Sequence, residues 1–456
     1  MIFEKIISKG IASNSYFVAS EGEAAVIDPR RDTDVYMNFA KEKDVKIKAI
    51  FDTHRNEDFV NGSPELSHET CAEIYHGHQI NFKYGKPVKD GYTFQIGELV
   101  LGIIETPGHT PESISIGVKT DTSAKRYFMV FTGDTLFAGD VGRIDFYRDA
   151  KKQREAANWL YDSLFNKLLA LEDSTVIFPA HGAGSICGGG ISGLPFSTIG
   201  YEKETNQRLQ LTKEEFVNYK SVEQFEIAPN MSVLEKYNLE GAPILGGIIK
   251  PQTLSVEEVK EHIAKGTQVV DVREPESFAG GHIPNTISIW KNGLPNYALW
   301  LLSYEKPIIL IKSIHQDIEQ SIRYLIRLGF DNVVGYLNGF RSWYMSGEKY
   351  TIPFEWSVHD LYKHREDEDL YILDVRRNQN LIDNGRIKGS HHIFLGELPE
   401  RISEIPKNKQ ICVYCDSGFK AKSAASILIK NGYKNVTSVL GSITAWKNAD
   451  YPIEEI

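Results

Sequence analysis

Four segments of the sequence place a histidine or an aspartate shortly after a run of β-forming residues. The polar residues at these four positions are His54, His109, Asp134 and His181. Each preceding run is apolar or alternating, and this pattern predicts a strand. Functional side chains are commonly carried by loops that a rigid scaffold positions. A histidine just past a strand end is well placed to bind a metal ion, so the four segments together favour a metal site.

The segment from Asp52 to Phe59, together with the three later loops, resembles the metallo-β-lactamase superfamily. The signature of that superfamily is a His-x-His-x-Asp-His loop, followed later by a His, an Asp and a His. The first loop of this chain departs from the signature, since Asn56 stands in place of the second histidine and Phe59 in place of the last. A site for two metal ions would need both histidines. The departure therefore argues against a dinuclear zinc site.

The ligands that remain under this resemblance are His54, His109 and Asp134. Two histidines and one carboxylate form the facial triad of non-haem Fe(II) oxygenases, which leaves open positions for substrate and O₂. Within the superfamily, this subset resembles the persulfide dioxygenases, and it implies one Fe(II) per chain. Asp58 and His181 would then support the ligands rather than bind the metal.

Three further residues are candidates for roles near this site. Arg143 lies in a Gly-Arg-x-Asp stretch that resembles one beside the substrate of persulfide dioxygenases, and its planar donor fork suits a carboxylate of the thiol carrier. The alternative for Arg143 is a surface ion pair. Cys187 lies in a glycine-rich loop and is either a reactive thiol or an inert one. Asp28 closes a predicted strand and either orients a metal ligand or caps the backbone.

The C-terminal part of the chain contains an internal repeat. The triplet Asp271-Val272-Arg273 recurs as Asp374-Val375-Arg376, and Gly329 recurs as Gly432 with the same separation. A constant separation indicates two copies of one fold. Each copy alternates β and α patterns, which predicts a parallel sheet flanked by helices.

Both copies resemble rhodanese domains. The first carries Gly281-His282-Ile283-Pro284, which is close to the family pattern, whereas the second has Arg386 where a histidine is usual. In the second copy Cys415 occupies the position at which the family accepts a sulfane sulfur. A helix is predicted from Ala421, and backbone N–H groups at a helix N-terminus favour a thiolate or persulfide. The residues that follow Cys415 in this loop are candidates for binding the substrate, and they are Asp416, Ser417, Gly418, Phe419 and Lys420.

The first rhodanese-like copy lacks a nucleophilic sulfur. The separation between the copies, counted back from Cys415, leads to Lys312. Lysine cannot replace a thiol in sulfur transfer, so we expect this copy to be a non-catalytic spacer. We expect the two other thiols with apolar neighbours, Cys71 and Cys412, to be core residues.

The resemblances cover essentially the whole chain of 456 residues, a length that by itself favours about three domains. They imply an N-terminal metallo-β-lactamase αββα sandwich over residues 1–240, an inactive rhodanese-like domain over 253–350 and an active rhodanese domain over 355–456. The two rhodanese-like domains are expected to be α/β with parallel sheets. Residues 226–252 are rich in proline, glycine and turn residues and predict a linker.

Composition excludes several classes of function. The net charge is −10 without a long Lys/Arg run, which argues against nucleic acid and acidic membrane surfaces as partners. No apolar run approaches the ~18 residues of a membrane span, and no secretory signal is evident. Four cysteines in a chain of this length do not make a disulfide framework. A cytoplasmic protein is expected, and we also expect a homo-oligomer.

The resemblances imply oxidation of a low-molecular-weight thiol persulfide by O₂ to sulfite and thiol. Cys415 would transfer sulfane sulfur, with sulfite or thiosulfate as the other reactant, and the implied pathway is sulfide detoxification. One alternative is a dinuclear zinc thioester hydrolase of the glyoxalase type. Another is a sulfurtransferase whose metallo-β-lactamase domain is not catalytic. The metal content separates all three, since they require one iron, two zinc ions or no metal.

Overall fold

The computed structural model describes residues 1–147, 149–185 and 188–455, and it contains two compact units. Unit 1 comprises Met1–Ile248 and Ile326–Gly329, and unit 2 comprises Ile249–Leu325 and Phe330–Ile456. The thiol candidate Cys187 lies outside the described residues.

Unit 1 contains two six-stranded sheets, in the orders β1-β2-β3-β4-β5-β6 and β12-β11-β10-β9-β8-β7. The strands of the first sheet are β1 Ile2–Ser8, β2 Ser13–Ser20, β3 Glu23–Ile27, β4 Lys46–Asp52, β5 Glu73–Gly77 and β6 Lys86–Val88. Those of the second sheet are β7 Thr93–Ile96, β8 Leu99–Glu105, β9 Ile114–Lys119, β10 Met129–Gly133, β11 Val176–Pro179 and β12 Ser197–Thr198. The helices of this unit are α1 Asp34–Glu42, α2 Ser63–Thr70, α3 Ala150–Ser163, α4 Ile199–Thr205, α5 Lys213–Val222 and α6 Met231–Glu240.

The two sheets of unit 1 pack face to face, with helices on both outer faces. Alternating residues of both sheets form one apolar core, which includes Tyr16, Val18, Phe51, Leu101, Ile116 and Phe131. The other face of the first sheet packs on Tyr36 of α1 and Leu66 of α2. The outer face of the second sheet packs on Leu160 of α3 and Phe216 of α5. This layering confirms the predicted αββα sandwich.

The four runs that are predicted to precede the candidate ligands are strands β4, β8, β10 and β11. The predicted linker over 226–252 is different, because α6 lies within it. Met231 and Leu234 of α6 are buried, so this helix packs on unit 1. The sequence did not predict this short helix, because turn-forming residues lie on both sides of it and its burial depends on tertiary contacts.

Unit 2 contains two five-stranded sheets whose strand pairs are all parallel. The strands of the first are β13 Gln252–Thr253, β14 Gln268–Asp271, β15 Ile287–Ser288, β16 Ile308–Lys312 and β17 Val333–Asn338. Those of the second are β18 Phe354–Trp356, β19 Leu370–Asp374, β20 His391–His392, β21 Gln410–Tyr414 and β22 Val436–Val439. The helices from residue 249 onward are α7 Val256–Ala264, α8 Pro275–Ala279, α9 Leu294–Leu301, α10 Glu319–Arg327, α11 Arg341–Met345, α12 Val358–His364, α13 Asn378–Asn384, α14 Leu398–Arg401, α15 Phe419–Lys430 and α16 Ser442–Asn448.

The two sheets of unit 2 have the same strand order, β13-β17-β16-β14-β15 and β18-β22-β21-β19-β20. The repeated Asp-Val-Arg triplet also has the same structure in both. Arg273 binds Asp271 through two nitrogens, and Arg376 binds Asp374 in the same way. The internal repeat therefore consists of two copies of one parallel α/β fold, as predicted.

No helix among the described residues is both long enough and apolar enough to cross a lipid bilayer.

Candidate functional site

The carboxyl ends of several strands of unit 1 meet at one edge of the sandwich. Strand β4 is followed by His54, β8 by His109 and β10 by Asp134. All three side chains are buried. The topology therefore brings together the three residues that the sequence selects as metal ligands.

The donor atoms of these three residues have the spacing of a metal site. Oδ2 of Asp134 lies 3.7 Å from Nε2 of His54 and 3.7 Å from Nε2 of His109. All three donor atoms lie within 4.8 Å of one another, and no other group of this kind occurs among the described residues. Metal bonds of about 2.0–2.2 Å to one central ion are compatible with such separations. Nε2 of His109 is buried and has no hydrogen-bond partner in the described part of the chain, as expected of a ligand atom.

A hydrogen-bonded chain orients His54. The backbone N–H and the hydroxyl of Thr53 donate to the two carboxylate oxygens of Asp28, at 2.7 and 2.8 Å. Since the single hydroxyl proton goes to Asp28, the oxygen of Thr53 accepts from Nδ1 of His54, at 2.9 Å. This arrangement leaves Nε2 of His54 as the unprotonated nitrogen. Asp28 thus contacts both the backbone and the side chain of Thr53, so both roles considered for it stay predictions.

A backbone contact orients His109. Its Nδ1 donates to the carbonyl oxygen of Arg143 at 2.7 Å, which directs Nε2 towards Asp134. The loop that carries it contains Gly108, with φ of 153°, where a Cβ atom would lie 2.5 Å from the backbone of Leu160. Only glycine fits there, so close packing against α3 fixes the path of this loop.

His181 and Asp58 lie behind Asp134. Nδ1 of His181 donates to the carboxylate of Asp134 at 2.7 Å, and its Nε2 lies 3.1 Å from Oδ2 of Asp58. An imidazole held between two carboxylates fixes the rotamer of the ligand it contacts. The expectation that both residues support the ligands stays a prediction.

The two departures from the superfamily signature have different surroundings. Phe59 is buried, and its ring lies 6.2 Å from that of His181. Asn56 donates to Oδ1 of Asn61 at 2.7 Å, while its own carbonyl and that of Phe59 accept from Asn238 of α6. An apolar ring and a hydrogen-bonded amide thus replace two imidazoles, and the loop is held by α6, whose role the sequence did not reveal.

Arg143 contacts the site through its backbone. Its side chain is buried, with Nε and Nη2 donating to Asp145 at 2.7 and 2.6 Å. The guanidinium also lies 4.3 Å from the ring centre of Phe146 and 4.4 Å from that of Phe225. Binding of a substrate carboxylate by Arg143 remains a prediction.

Sequence reasoning missed Glu57, which lies three residues after His54 in the same loop. Its Oε2 is buried and lies 3.3 Å from Nε2 of His109, without the alignment of a hydrogen bond. Burial alone would raise the pKa of Glu57, but the nearby His109 and Arg55 outweigh burial and lower this pKa. The only available signal was that Glu57 is adjacent to the position of the missing second histidine.

The electrostatics of the two histidines differ. Burial is the main cause that lowers the pKa of His54 to about 4, so this ring is neutral and able to bind a metal at neutral pH. Burial also acts to lower the pKa of His109, but the carboxylates of Glu57 and Asp134 outweigh it and raise the pKa. Metal binding at His109 therefore replaces a proton in a strongly negative environment.

The second site is the loop of Cys415 in unit 2. Cys415 follows β21 and is buried, and its loop leads into α15. Sγ accepts from the backbone N–H of Gly418 at 3.1 Å, and the N–H of Cys415 donates to Oγ of Ser442 at 3.0 Å. Gly418 has φ of 104°, which lets the loop curl so that its N–H turns towards the sulfur. The loop is thus built to stabilise negative charge on sulfur.

The substrate-binding candidates surround this sulfur. Lys420 forms an ion pair with Asp416 across the loop. Ser417 is exposed, and Phe419 is half-buried at the start of α15. Their binding roles remain predictions.

The first rhodanese-like copy supplies part of the wall of this site. The ring of Trp290 lies 5.3 Å from that of Phe419 and 5.6 Å from that of Tyr297, also in the first copy. Tyr297 interacts electrostatically with Lys420 and Cys415. The first copy is therefore more than a spacer.

The equivalent loop of the first copy has the opposite electrostatic character. The ammonium of Lys312 is almost completely buried and donates to the carbonyl oxygens of Ser313, Ile314 and Gln316 at 3.0–3.1 Å. Carbonyls, rather than N–H groups, point to the centre of this loop, which therefore cannot hold a thiolate or a persulfide.

The other two thiols differ from each other. Cys412 is buried in the sheet, as predicted, and burial raises the pKa of its thiol. Cys71, which was predicted to be a core residue, is exposed at the C-terminal end of α2 with φ of 58°. The prediction for Cys71 was wrong because the helix that ends there turns its last residue outward.

Comparisons with known proteins identify the families of the domains that carry the two sites. Residues 9–181 match the profile of the Metallo-beta-lactamase superfamily, and residues 255–346 and 357–449 match that of the Rhodanese-like domain. The mitochondrial persulfide dioxygenase ETHE1 of Bos taurus is 31% identical over 201 residues, which cover 43% of this chain and 70% of that protein.

Two further similarities extend this comparison. A probable hydroxyacylglutathione hydrolase, glo2 of Schizosaccharomyces pombe, is 32% identical over 161 residues, covering 34% of this chain and 58% of that protein. The crystal structure of a metallo-beta-lactamase from Staphylococcus aureus subsp. aureus COL superposes with a TM-score of 0.65 at 28% identity, over 74% of this chain and 98% of that one.

Proposed function

Because the chain belongs to the persulfide dioxygenase family of the metallo-beta-lactamase superfamily and carries two rhodanese-like domains, we propose that it oxidises a small thiol persulfide and transfers sulfane sulfur. In the first reaction a persulfide R–S–SH, O₂ and water give the thiol R–SH, sulfite and two protons. In the second, a persulfide on Cys415 gives its outer sulfur to sulfite, which yields thiosulfate and the free thiolate. Both reactions belong to sulfur metabolism, and sulfide detoxification is the pathway that they fit.

The observation that carries this proposal is the set of three ligands without a second metal position. His54, His109 and Asp134 form a two-histidine, one-carboxylate group, which is the ligand set of non-haem iron oxygenases. Phe59 and Asn56 remove two of the imidazoles that a dinuclear zinc hydrolase would use. The ligand set therefore favours one Fe(II) per chain over the hydrolase alternative.

The residues around the ligands have defined tasks in this proposal. One Fe(II) in the site would supply electrons for O₂ and coordination positions for the reactants. Thr53 and Asp28 hold Nε2 of His54 in its unprotonated form, and the carbonyl of Arg143 directs Nε2 of His109 towards Asp134. His181 holds the carboxylate of Asp134 in place. Phe59 places an apolar ring 6.2 Å from the ring of His181, where the signature has a histidine.

The task of the cysteine loop is to hold a negative sulfur. The N–H of Gly418 stabilises charge on Sγ of Cys415, and Lys420 adds a positive charge nearby. During transfer the S–S bond of the Cys415 persulfide breaks, and its electron pair stays on the cysteine sulfur as a thiolate. The outer sulfur forms a new bond to the sulfur of sulfite.

Anaerobic metal analysis followed by O₂ uptake tests the proposal. We expect about one iron per chain, and O₂ consumption with one or more members of a panel of small persulfides. His109→Ala should abolish both iron binding and O₂ consumption, because it removes a ligand, while sulfur transfer from thiosulfate persists. Cys415→Ser is the reciprocal control, since it should lose sulfur transfer and keep O₂ consumption.

Two results would contradict the proposal. Two zinc ions per chain with thioester hydrolysis would indicate the hydrolase alternative. Full O₂ consumption by the His109→Ala variant would show that the three residues do not form the oxidising site.

A further inference from the structure

We propose that Tyr297, which belongs to the first rhodanese-like copy, is a specificity residue of the Cys415 site. Its hydroxyl donates a hydrogen bond to an oxygen of a small sulfur oxyanion, and that oxyanion is sulfite. This inference rests on the proposed function, because it requires that Cys415 carry a sulfane sulfur. It assigns a task in recognition to the copy that has no nucleophile.

Helix α9 places Tyr297 at the junction of the two copies. The sequence of α9 is apolar on nearly every side, and helices of this kind are buried. The ring of Trp300, in the same helix, lies 5.2 Å from that of Phe394 in the second copy. The backbone N–H of Ser288 donates to Oγ of Ser426 at 3.0 Å, which is a further contact between the copies. Packing and a hydrogen bond therefore fix the position of Tyr297 relative to the second copy.

Tyr297 lies at the loop of the nucleophile. The ring of Trp290 is 5.6 Å from that of Tyr297 and 5.3 Å from that of Phe419, which begins α15 directly after this loop. Tyr297 also interacts electrostatically with Cys415 and with Lys420. The side chain is therefore close to the sulfur and to the cation beside it.

The second observation is that the hydroxyl of Tyr297 has no hydrogen-bond partner among the described residues, although only 7% of this residue is exposed. Buried tyrosine hydroxyls usually find a partner. In the second copy, the hydroxyl of Tyr414 lies 3.1 Å from that of Ser390. The hydroxyl of Tyr433 donates to the carbonyl of Ile402 at 2.7 Å. The hydroxyl of Tyr297, which the protein itself does not use, is available to a ligand at the sulfur.

This hydroxyl keeps its proton at neutral pH. Burial is the main cause that raises the pKa of Tyr297. The charges of Lys420 and Arg377 oppose burial, whereas those of Cys415 and Asp416 act in the same direction as burial. The net effect is a raised pKa, so the hydroxyl acts as a donor and suits an anionic acceptor.

Sulfite fits this donor because the transfer brings two anions together. The sulfur of sulfite bonds to the outer sulfur of the Cys415 persulfide, the S–S bond breaks, and its electron pair stays on Sγ. Thiosulfate and a thiolate result, and atoms and charge balance without an oxidant. The N–H of Gly418 serves Sγ, and Lys420 is paired with Asp416. The hydroxyl of Tyr297 supplies a donor for the oxygens of sulfite, and a hydrogen bond to a charged acceptor is a strong one.

The experiment compares two acceptors on the full chain. Cys415 is loaded anaerobically from a small persulfide, excess donor is removed, and mass spectrometry verifies the added sulfur. Single-turnover transfer is then followed to sulfite, as thiosulfate formed, and to cyanide, as thiocyanate formed. Cyanide accepts sulfur but has no oxygen atoms. We expect Tyr297→Phe to slow transfer to sulfite by about 10- to 100-fold, the effect of one hydrogen bond to a charged group, and to keep transfer to cyanide within about twofold.

Tyr344→Phe is the matched control. Tyr344 belongs to the same copy, is 44% exposed on α11, and contacts the ring of Phe340. Removal of its hydroxyl should leave transfer to both acceptors at the wild-type rate, and both variants should keep the wild-type melting temperature.

The outcomes separate this inference from the proposed function. If the wild type transfers sulfur to sulfite and Tyr297→Phe does so at the same rate, the role of Tyr297 is wrong and the proposed function stands. An equal loss with sulfite and cyanide, or the same loss in Tyr344→Phe, would also overturn recognition of the oxygens by Tyr297. A wild-type protein that carries no sulfur on Cys415 would overturn the proposed sulfur transfer itself.

Discussion

Replacement of Thr53 tests how far the metal site depends on the orientation of a single imidazole. Thr53→Val keeps the shape of the side chain and removes its hydroxyl. That hydroxyl donates to Oδ2 of Asp28 at 2.8 Å and accepts from Nδ1 of His54 at 2.9 Å. The variant therefore leaves a buried acceptor and a buried donor without partners.

The expected losses of stability and of Fe(II) affinity follow from these two unpaired groups. A buried polar group without its partner costs about 1–3 kcal/mol, so the variant should be less stable by roughly 2–6 kcal/mol if neither group relaxes. In the metal-free protein the His54 ring can turn to a new partner. Metal binding requires the ring to return to its original orientation, where Nδ1 of His54 has no acceptor. The cost of this one unpaired group, about 1–3 kcal/mol, should therefore reduce the metal affinity. That cost corresponds to a loss of about 5- to 150-fold in Fe(II) affinity.

The assay is anaerobic titration of Fe(II) against a competing chelator, with thermal unfolding of the metal-free protein recorded in parallel. Thr53→Ser is the control, because serine restores the hydroxyl and should restore the affinity. A Thr53→Val variant that binds Fe(II) within twofold of the wild type would refute the argument that Asp28 and Thr53 orient the ligand.

Three further predictions concern unit 2. Lys312→Ala should leave sulfur transfer and O₂ uptake unchanged but lower the melting temperature, since it removes a charged donor to three carbonyls. A loss of transfer as large as in Cys415→Ser would show that the first copy is catalytic. Trp290→Ala should lower kcat/KM for sulfur transfer by roughly 2- to 10-fold, from the loss of aromatic contacts worth about 0.5–1.5 kcal/mol, and an unchanged value would show that the first copy does not shape the site. After incubation with a sulfur donor, mass spectrometry should find one added sulfur on the Cys415 peptide in the wild type and in Cys412→Ser, and a label on Cys412 instead would contradict the assignment.

The ligand set was predictable from the sequence because its information is local. Each of His54, His109 and Asp134 comes after a strand pattern, and a parallel or mixed sheet brings such strand ends to one edge. The repeat of the rhodanese-like copies was predictable for a similar reason, since a constant separation between matching triplets needs no tertiary information.

The features of the fold and the site that the sequence did not predict depend on contacts between distant segments. Asn238 reaches the first loop from a helix that lies in a turn-rich stretch, and no local pattern indicates that contact. Glu57 is adjacent to a missing ligand, but only the folded loop places its carboxylate 3.3 Å from His109. Trp290 meets Phe419 because the two copies pack together, whereas the repeat by itself suggests two independent domains.

The buried ammonium of Lys312 would make the expected inactivity of the first copy difficult to reverse in evolution. A mutation of Lys312 to cysteine would place a thiol at the expected position, but it would remove the donor to three carbonyls that face it. The loop would lose these charge-assisted hydrogen bonds, and the new thiolate would meet partial negative charge. To carry sulfur at this position, the loop would need the substitution and also a change of backbone conformation that directs N–H groups, instead of carbonyls, towards the thiol. Cysteine at this position alone would therefore give a less stable protein rather than a second active site.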